Sequence, residues 1–181
     1  MIYASVKFLQ EWHSPLTVAN YTFLGLASGF MLAAALAAHQ GVDLVGFYGF
    51  WAVVATLLGL VTRIAALIRN GRIKYKVDLQ AAIGVRHNSL QQKAQGFMGG
   101  SFNTREFFHG KNAAALGFVK WVFLVAAFVA PMVLIGLAYG LESATLPALA
   151  FGVQYLGLLA ERWHFFAEAR HPQNLYYQSI A

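Results

Sequence analysis

The sequence predicts an all-α protein, an integral membrane helical bundle of about four transmembrane helices with a long polar loop between the second and third. Three observations carry this. Of 181 residues, 59% are hydrophobic and 11% are charged, whereas a soluble domain runs near ~25% charged because its surface is dressed in ions. Four stretches, at about 18–38, 44–68, 116–141 and 146–167, are apolar over the roughly 20 residues that a helix needs to cross a bilayer. The basic residues also gather on one side of these spans. Together the three exclude a water-soluble globule, and the abundance of aromatic residues excludes a disordered chain.

Each span has its own signals. The first holds no charge and follows Ser14-Pro15, a hydroxyl suited to cap a helix and a proline suited to its first position. The second carries Arg63 within a turn or two of its end. The third carries Lys120 near its start and Pro131 near its middle; the proline predicts a kink, with the freed carbonyl satisfied by a neighbouring helix. The fourth stays apolar from Leu146 to Ala160 and continues as Glu161-Arg162-Trp163-His164-Phe165-Phe166-Ala167-Glu168, until Pro172 stops it. Gly25, Gly29, Ala33 and Ala37 form a small-residue stripe on the first span, and Gly136 and Gly140 repeat its spacing on the third. In lipid such stripes predict close helix–helix packing. Residues 1–9 have no basic n-region and no cleavage site, and read as the last two turns of a helix.

Orientation follows from the basic residues. The connection 69–115 holds Arg69, Arg72, Lys74, Lys76, Arg86, Lys93, Arg105 and Lys111, while the opposite connections at 39–43 and 142–143 hold none. Lys7 and Arg170 share the basic side, and Arg63, Lys120 and Arg162 approach it. The positive-inside rule makes that face cytoplasmic, with both termini on the cytoplasmic side of the membrane. Retention beside a membrane explains the net charge of +6 better than nucleic-acid binding does.

The chain has no cysteine, which excludes a disulfide, a thiolate zinc site or an iron–sulfur cluster of its own. The six histidines, His13, His39, His87, His109, His164 and His171, invite a haem reading, yet none lies in the middle of a span. Glu161-x-x-His164 and Glu168-x-x-His171 resemble half-sites of carboxylate di-iron bundles, in which the motifs come from different helices. Here both lie on one helix, roughly 10 Å apart, too far for a metal pair. The four residues read instead as a polar stripe facing a partner or a hydrated cavity. Ionisable groups within a span are costly, so Arg63 and Glu161-Arg162 are candidates for mutual pairing or for proton and quinone handling. The glycine-rich stretch 96–110 lacks the Lys-Ser/Thr of a phosphate loop; its glycine, aromatic and Met residues suit a loop lying on the membrane surface or against another protein.

Trp12-His13-Ser14-Pro15-Leu16-Thr17, Gly25-Leu26-Ala27-Ser28-Gly29, the 96–110 stretch and the run from Glu161 to Tyr177 resemble the membrane anchor subunits of dimethyl sulfoxide reductase-type molybdoenzymes, in particular the anchors of membrane-bound sulfite dehydrogenases. Members of that family are longer, and this chain corresponds to their C-terminal half. The resemblance implies an anchor without haem or metal and without activity alone. Its partners would be a ferredoxin-like iron–sulfur subunit and a molybdopterin catalytic subunit, and electrons would pass between the nearest cluster and a quinone. A quinone pocket on the basic face needs a proton donor or acceptor and an apolar slot. The candidates are Arg105, His109, Glu161 and His164, with Phe107, Phe108 and Trp163 as walls. The alternatives are a transporter using Arg63 and Glu161, and a b-type cytochrome.

Overall fold

The computed structural model describes residues 2–74 and 113–169, together with Gln80, Gly84, Arg86 and His87 between them. Among the described residues the regular structure is helical: α1 (Ile2–Ser5), α2 (Pro15–Gln40), α3 (Val45–Gly71), α4 (Ala113–Leu124), a π-helical turn (Val125–Val129), α5 (Ala130–Gly140) and α6 (Leu146–Ala167). Helix α4, the π turn and α5 run on as one rod. Among the described residues three helices are long and apolar enough to cross a membrane, at Pro15–Gln40, Val45–Gly71 and Ala114–Gly140. The fourth expected span is a helix over 146–167, but Gln154, Glu161 and Arg162 on it leave it less apolar than the other three.

The ends of α2 follow from local chemistry. Ser14 is extended, and its Oγ accepts the Leu16 N–H at 3.2 Å, with Pro15 opening the helix. At the other end Gly41 takes the left-handed conformation at φ 65°, which costs an L side chain energy. The Val42 N–H then reaches back to the Ala37 carbonyl at 3.0 Å, closing the helix terminus. The N-terminal segment is less helical than its sequence suggests. Only one turn forms, and the chain then folds so that Leu9 and Trp12 pack on Phe165 and Ala169 of the α6 end.

The bond expected from a neighbouring helix to the carbonyl freed by Pro131 is present, by a device the sequence did not announce. Upstream of the proline the backbone widens into the π turn, where the Ala130 N–H bonds the Val125 carbonyl five residues back. Pro131 has no N–H to offer Ala127, and Gln154 of α6 supplies one, its Nε2 lying 3.4 Å from the Ala127 oxygen. The same Nε2 lies 3.1 Å from Thr56 Oγ1 of α3, and that hydroxyl donates to the Ala52 carbonyl at 2.7 Å. One turn further along α6, Gly157 lies against the backbone of Ala126 and Ala127, where a Cβ would overlap it.

Close approach is thus made at Gly157, and at Gly59, which faces Leu24 and Phe128. The glycines expected to do this do not, and of the stripe on α2 only Ala37 is buried. Gly25, Gly29, Gly136 and Gly140 face open space, because the inward side of α2 is set by the larger Leu24 and Met31 together with Ala27, Ala34 and Ala35. Apolar burial wins the helix rotation over the small-residue spacing. Large apolar side chains, among them Phe50, Trp51, Phe118, Trp121 and Leu156, point outward, as they do where lipid replaces water.

A Cβ at Gly157 should force α6 off the π turn, so Gly157→Ala is expected to lower stability by about 1–3 kcal/mol, the usual range for overpacking. Gly29→Ala should leave it within ~0.5 kcal/mol or raise it slightly. Thermal unfolding of the purified variants in one detergent compares the two.

Candidate functional site: a buried charge cluster at the basic end

Gln154, Gly157, Glu161, His164 and Glu168 recur at spacings of three and four along α6 and its last turn, so they share one face. Gln154 and Gly157 fix that face against the π turn, and the rotation they set sends Glu161 and His164 inward. Both are buried, as is Arg63 of α3. Arg63 Nε lies 2.8 Å from Glu161 Oε1 with side chains 1% and 0% exposed, the N–H directed off the oxygen so that the contact is one of charge. The second Glu161 oxygen pairs with Arg162. The Arg162 guanidinium lies 4.0 Å from the ring centre of Tyr21 and 5.0 Å from that of Phe165, a cation held by aromatic faces.

His164 joins the cluster through Arg63, whose Nη2 is 3.3 Å from its Nδ1. A guanidinium only donates, so Nδ1 is the acceptor and the neutral ring carries its proton on Nε2. Glu168 stands at the rim, 22% exposed, with Oε2 3.8 Å from both Arg63 Nη2 and His164 Nδ1. Burial pushes its carboxyl above the usual carboxylate range, against the opposing pull of Arg63. Phe123 closes one side, 5.3 Å from the Arg63 guanidinium and 5.2 Å from the His164 ring.

The N-terminal segment forms the roof. Trp12 stacks on Phe165 at 5.3 Å and donates its Nε1–H to the Phe165 carbonyl at 3.0 Å. Tyr3 meets both rings edge-on. Arg69 of α3 ties this segment down through the carbonyls of Gln10 at 3.0 Å and His13 at 3.3 Å.

Of the sequence-predicted site residues, Glu161 and His164 are brought together around Arg63, and Trp163 is half-buried beside them. Arg105, Phe107, Phe108, His109 and His171 lie outside the described residues. The expected pairing of Arg63 with Glu161-Arg162 is present. Sequence reasoning missed the Thr56–Gln154 bond at mid-helix; the signal was a glutamine inside an apolar run, one helical repeat before Glu161. Among the described residues no His, Asp and Glu side chains are gathered as a metal ion needs. Nor do two of the described histidines face each other, since His13, His39 and His87 are exposed. A guanidinium fills the centre instead, and the cluster can hold an anionic oxygen and pass a proton.

Removing one member of a buried ion pair strands the other, which typically costs about 3–5 kcal/mol. Glu161→Gln should therefore destabilise strongly, and Arg63→Met somewhat less because Arg162 still neutralises Glu161. The Arg63→Met/Glu161→Gln double variant should lose less than the sum of the two. A double-mutant cycle on thermal unfolding in detergent checks this.

No family model matches the chain, and no solved structure matches it. A curated relative does. The chain is 64% identical, over all 181 of its residues, to a protein of Allochromatium vinosum named as one of the subunits of sulfite dehydrogenase, and it spans 56% of that protein's length.

Proposed function

We propose that the chain serves as the membrane anchor and quinone-interface part of a sulfite dehydrogenase complex of the dimethyl sulfoxide reductase type. The observation that carries this is the 64% identity, over the whole of the chain, to a protein named as a subunit of sulfite dehydrogenase. A subunit implies others, and the motif resemblance points to a ferredoxin-like iron–sulfur subunit and a molybdopterin catalytic subunit. The chain has no cysteine to ligate a cluster, so the electron carriers belong to those partners. Helix α6 is read as a fourth crossing beside the three apolar ones. The basic end then faces the cytoplasm of a bacterial inner membrane by its charge.

The quinone head group is assigned to the basic end, near Glu161 and His164, with Arg105 and His109 of the long connection as further candidates from the sequence. Reduction of a quinone takes two electrons and two protons. The electrons come from the iron–sulfur partner; the chain's own residues contribute the rest. Arg63, held in place by Glu161, supplies positive charge that favours electron density building on a quinone oxygen. Glu161 and His164 can exchange protons with that oxygen. Phe123 and the aromatic roof limit access of water to the cluster.

Purification of the tagged chain from its native membrane in mild detergent should bring down a molybdopterin subunit and a ferredoxin-like subunit, with molybdenum and iron. In that complex Glu161→Gln and His164→Ala should each lower electron transfer to a soluble quinone analogue on the order of a hundredfold, with both partners still bound. Recovery of the chain alone and free of metal, or full quinone-linked transfer in both variants, would remove the proposal.

A further inference from the structure

The buried cluster is not uniformly buried, and its gradient has a direction. Glu161 and Arg63 are sealed at 0% and 1% exposure, the His164 side chain shows 6%, and Glu168 shows 22%. Two members reach the rim, Glu168 and Arg162 at 23%, and of these only the carboxylate can take up and release a proton; its Oε2 lies 3.8 Å from His164 Nδ1. The ring's proton-bearing Nε2 lies on its other side, because Nδ1 is committed as acceptor to Arg63. Phe123 covers one side of the ring, 5.2 Å from its centre. The charged groups bearing on the pair are Arg63 from α3, Lys120 from α4, Glu161 of α6 itself and Glu11 from the roof segment, with Asn70 of α3 against the Glu168 carboxyl.

We propose that Glu168 and His164 form the proton inlet of this site, Glu168 taking protons at the aqueous rim and His164 carrying them inward. The proposal rests on the quinone reading above and adds to it the route by which protons arrive. Each transfer balances. A protonated Glu168 gives its proton to His164 Nδ1 as the Arg63 Nη2–H turns off that lone pair toward the Glu168 carboxylate being formed, directly after a side-chain rotation or through one water that spans the 3.8 Å. The resulting imidazolium releases the Nε2 proton to a quinone oxygen on the inner side, and the neutral ring resets by exchanging tautomers. Two such passages, with two electrons from the iron–sulfur partner, convert the quinone and its two carbonyl groups into the hydroquinone with two hydroxyls. Glu168 touches neither quinone nor electron carrier and is a positioning and relay residue. The raised carboxyl affinity that burial gives it helps it to hold a proton at the rim.

The test uses the assembled complex in native membranes, a soluble quinone analogue as acceptor, and the variant Glu168→Gln. The proposal expects quinone-linked turnover to fall about tenfold or more, with binding of the analogue retained. It also expects added formate or azide, small weak acids that carry protons without a side chain, to restore much of the lost turnover in Glu168→Gln and to leave the unmodified complex unchanged. Turnover that is unaffected by Glu168→Gln overturns the inlet and leaves the quinone reading standing, as does a loss that neither weak acid relieves. Failure of the unmodified complex to bind the analogue at all overturns both.

Discussion

The contact between Arg63 and Glu161 is the constraint around which the basic end is organised. A guanidinium and a carboxylate, each withdrawn from water, carry a desolvation penalty of several kcal/mol per ion. Their mutual attraction offsets it only if neither is left without a partner. The structure meets this with redundancy: Glu161 faces Arg63 on one oxygen and Arg162 on the other, and Arg63 also reaches His164 and Glu168. Arg162 in turn rests on Tyr21 and Phe165, so the charge network is braced by aromatic rings on two helices. An arrangement of this kind is weak evidence for stability as such. It is better explained by a task at that end of the bundle, since apolar residues of similar volume would fill the same space at lower cost.

The geometry that delivers Glu161 to Arg63 is set two turns away. Pro131 removes a backbone donor from the third span, the π turn shifts the backbone before it, and Gln154 bonds the carbonyl left over. Gly157 then lets α6 lie directly on that backbone. Because Gln154, Gly157, Glu161 and His164 share one helical face, docking the first two fixes the orientation of the last two. A defect in one helix is thereby converted into the rotational setting of another. The Thr56–Gln154 bond brings α3 into the same junction, which positions the helix that carries Arg63.

The aromatic roof links this interior to the surface. Trp12, Tyr3, Phe165 and Phe166 make mutual ring contacts, and Arg69 holds the N-terminal segment over the end of α6. The seal leaves Glu168 at the rim. The Arg162 guanidinium reaches the same rim, at 23% exposure beside 22% for Glu168.

The helical class, three apolar spans, the caps at Ser14 and Pro15, and the proline distortion with its rescue by a neighbour were all legible in the order of the residues. They rest on local backbone chemistry and on transfer free energies, which act residue by residue. The same order marked Glu161, Arg63 and His164 as costly within a span. Which faces turn inward was settled by packing and by nothing more local. The stripe of Gly25, Gly29, Ala33 and Ala37 matched a packing pattern, yet its glycines face open space and only Ala37 is buried, because helix rotation follows the sum of burial around the whole circumference and not one spacing. Equally, no local signal joins Arg63 to Glu161 or Thr56 to Gln154. Those pairs are distant in sequence, and only the packing of α3 and α6 against the π turn brings each group to its partner.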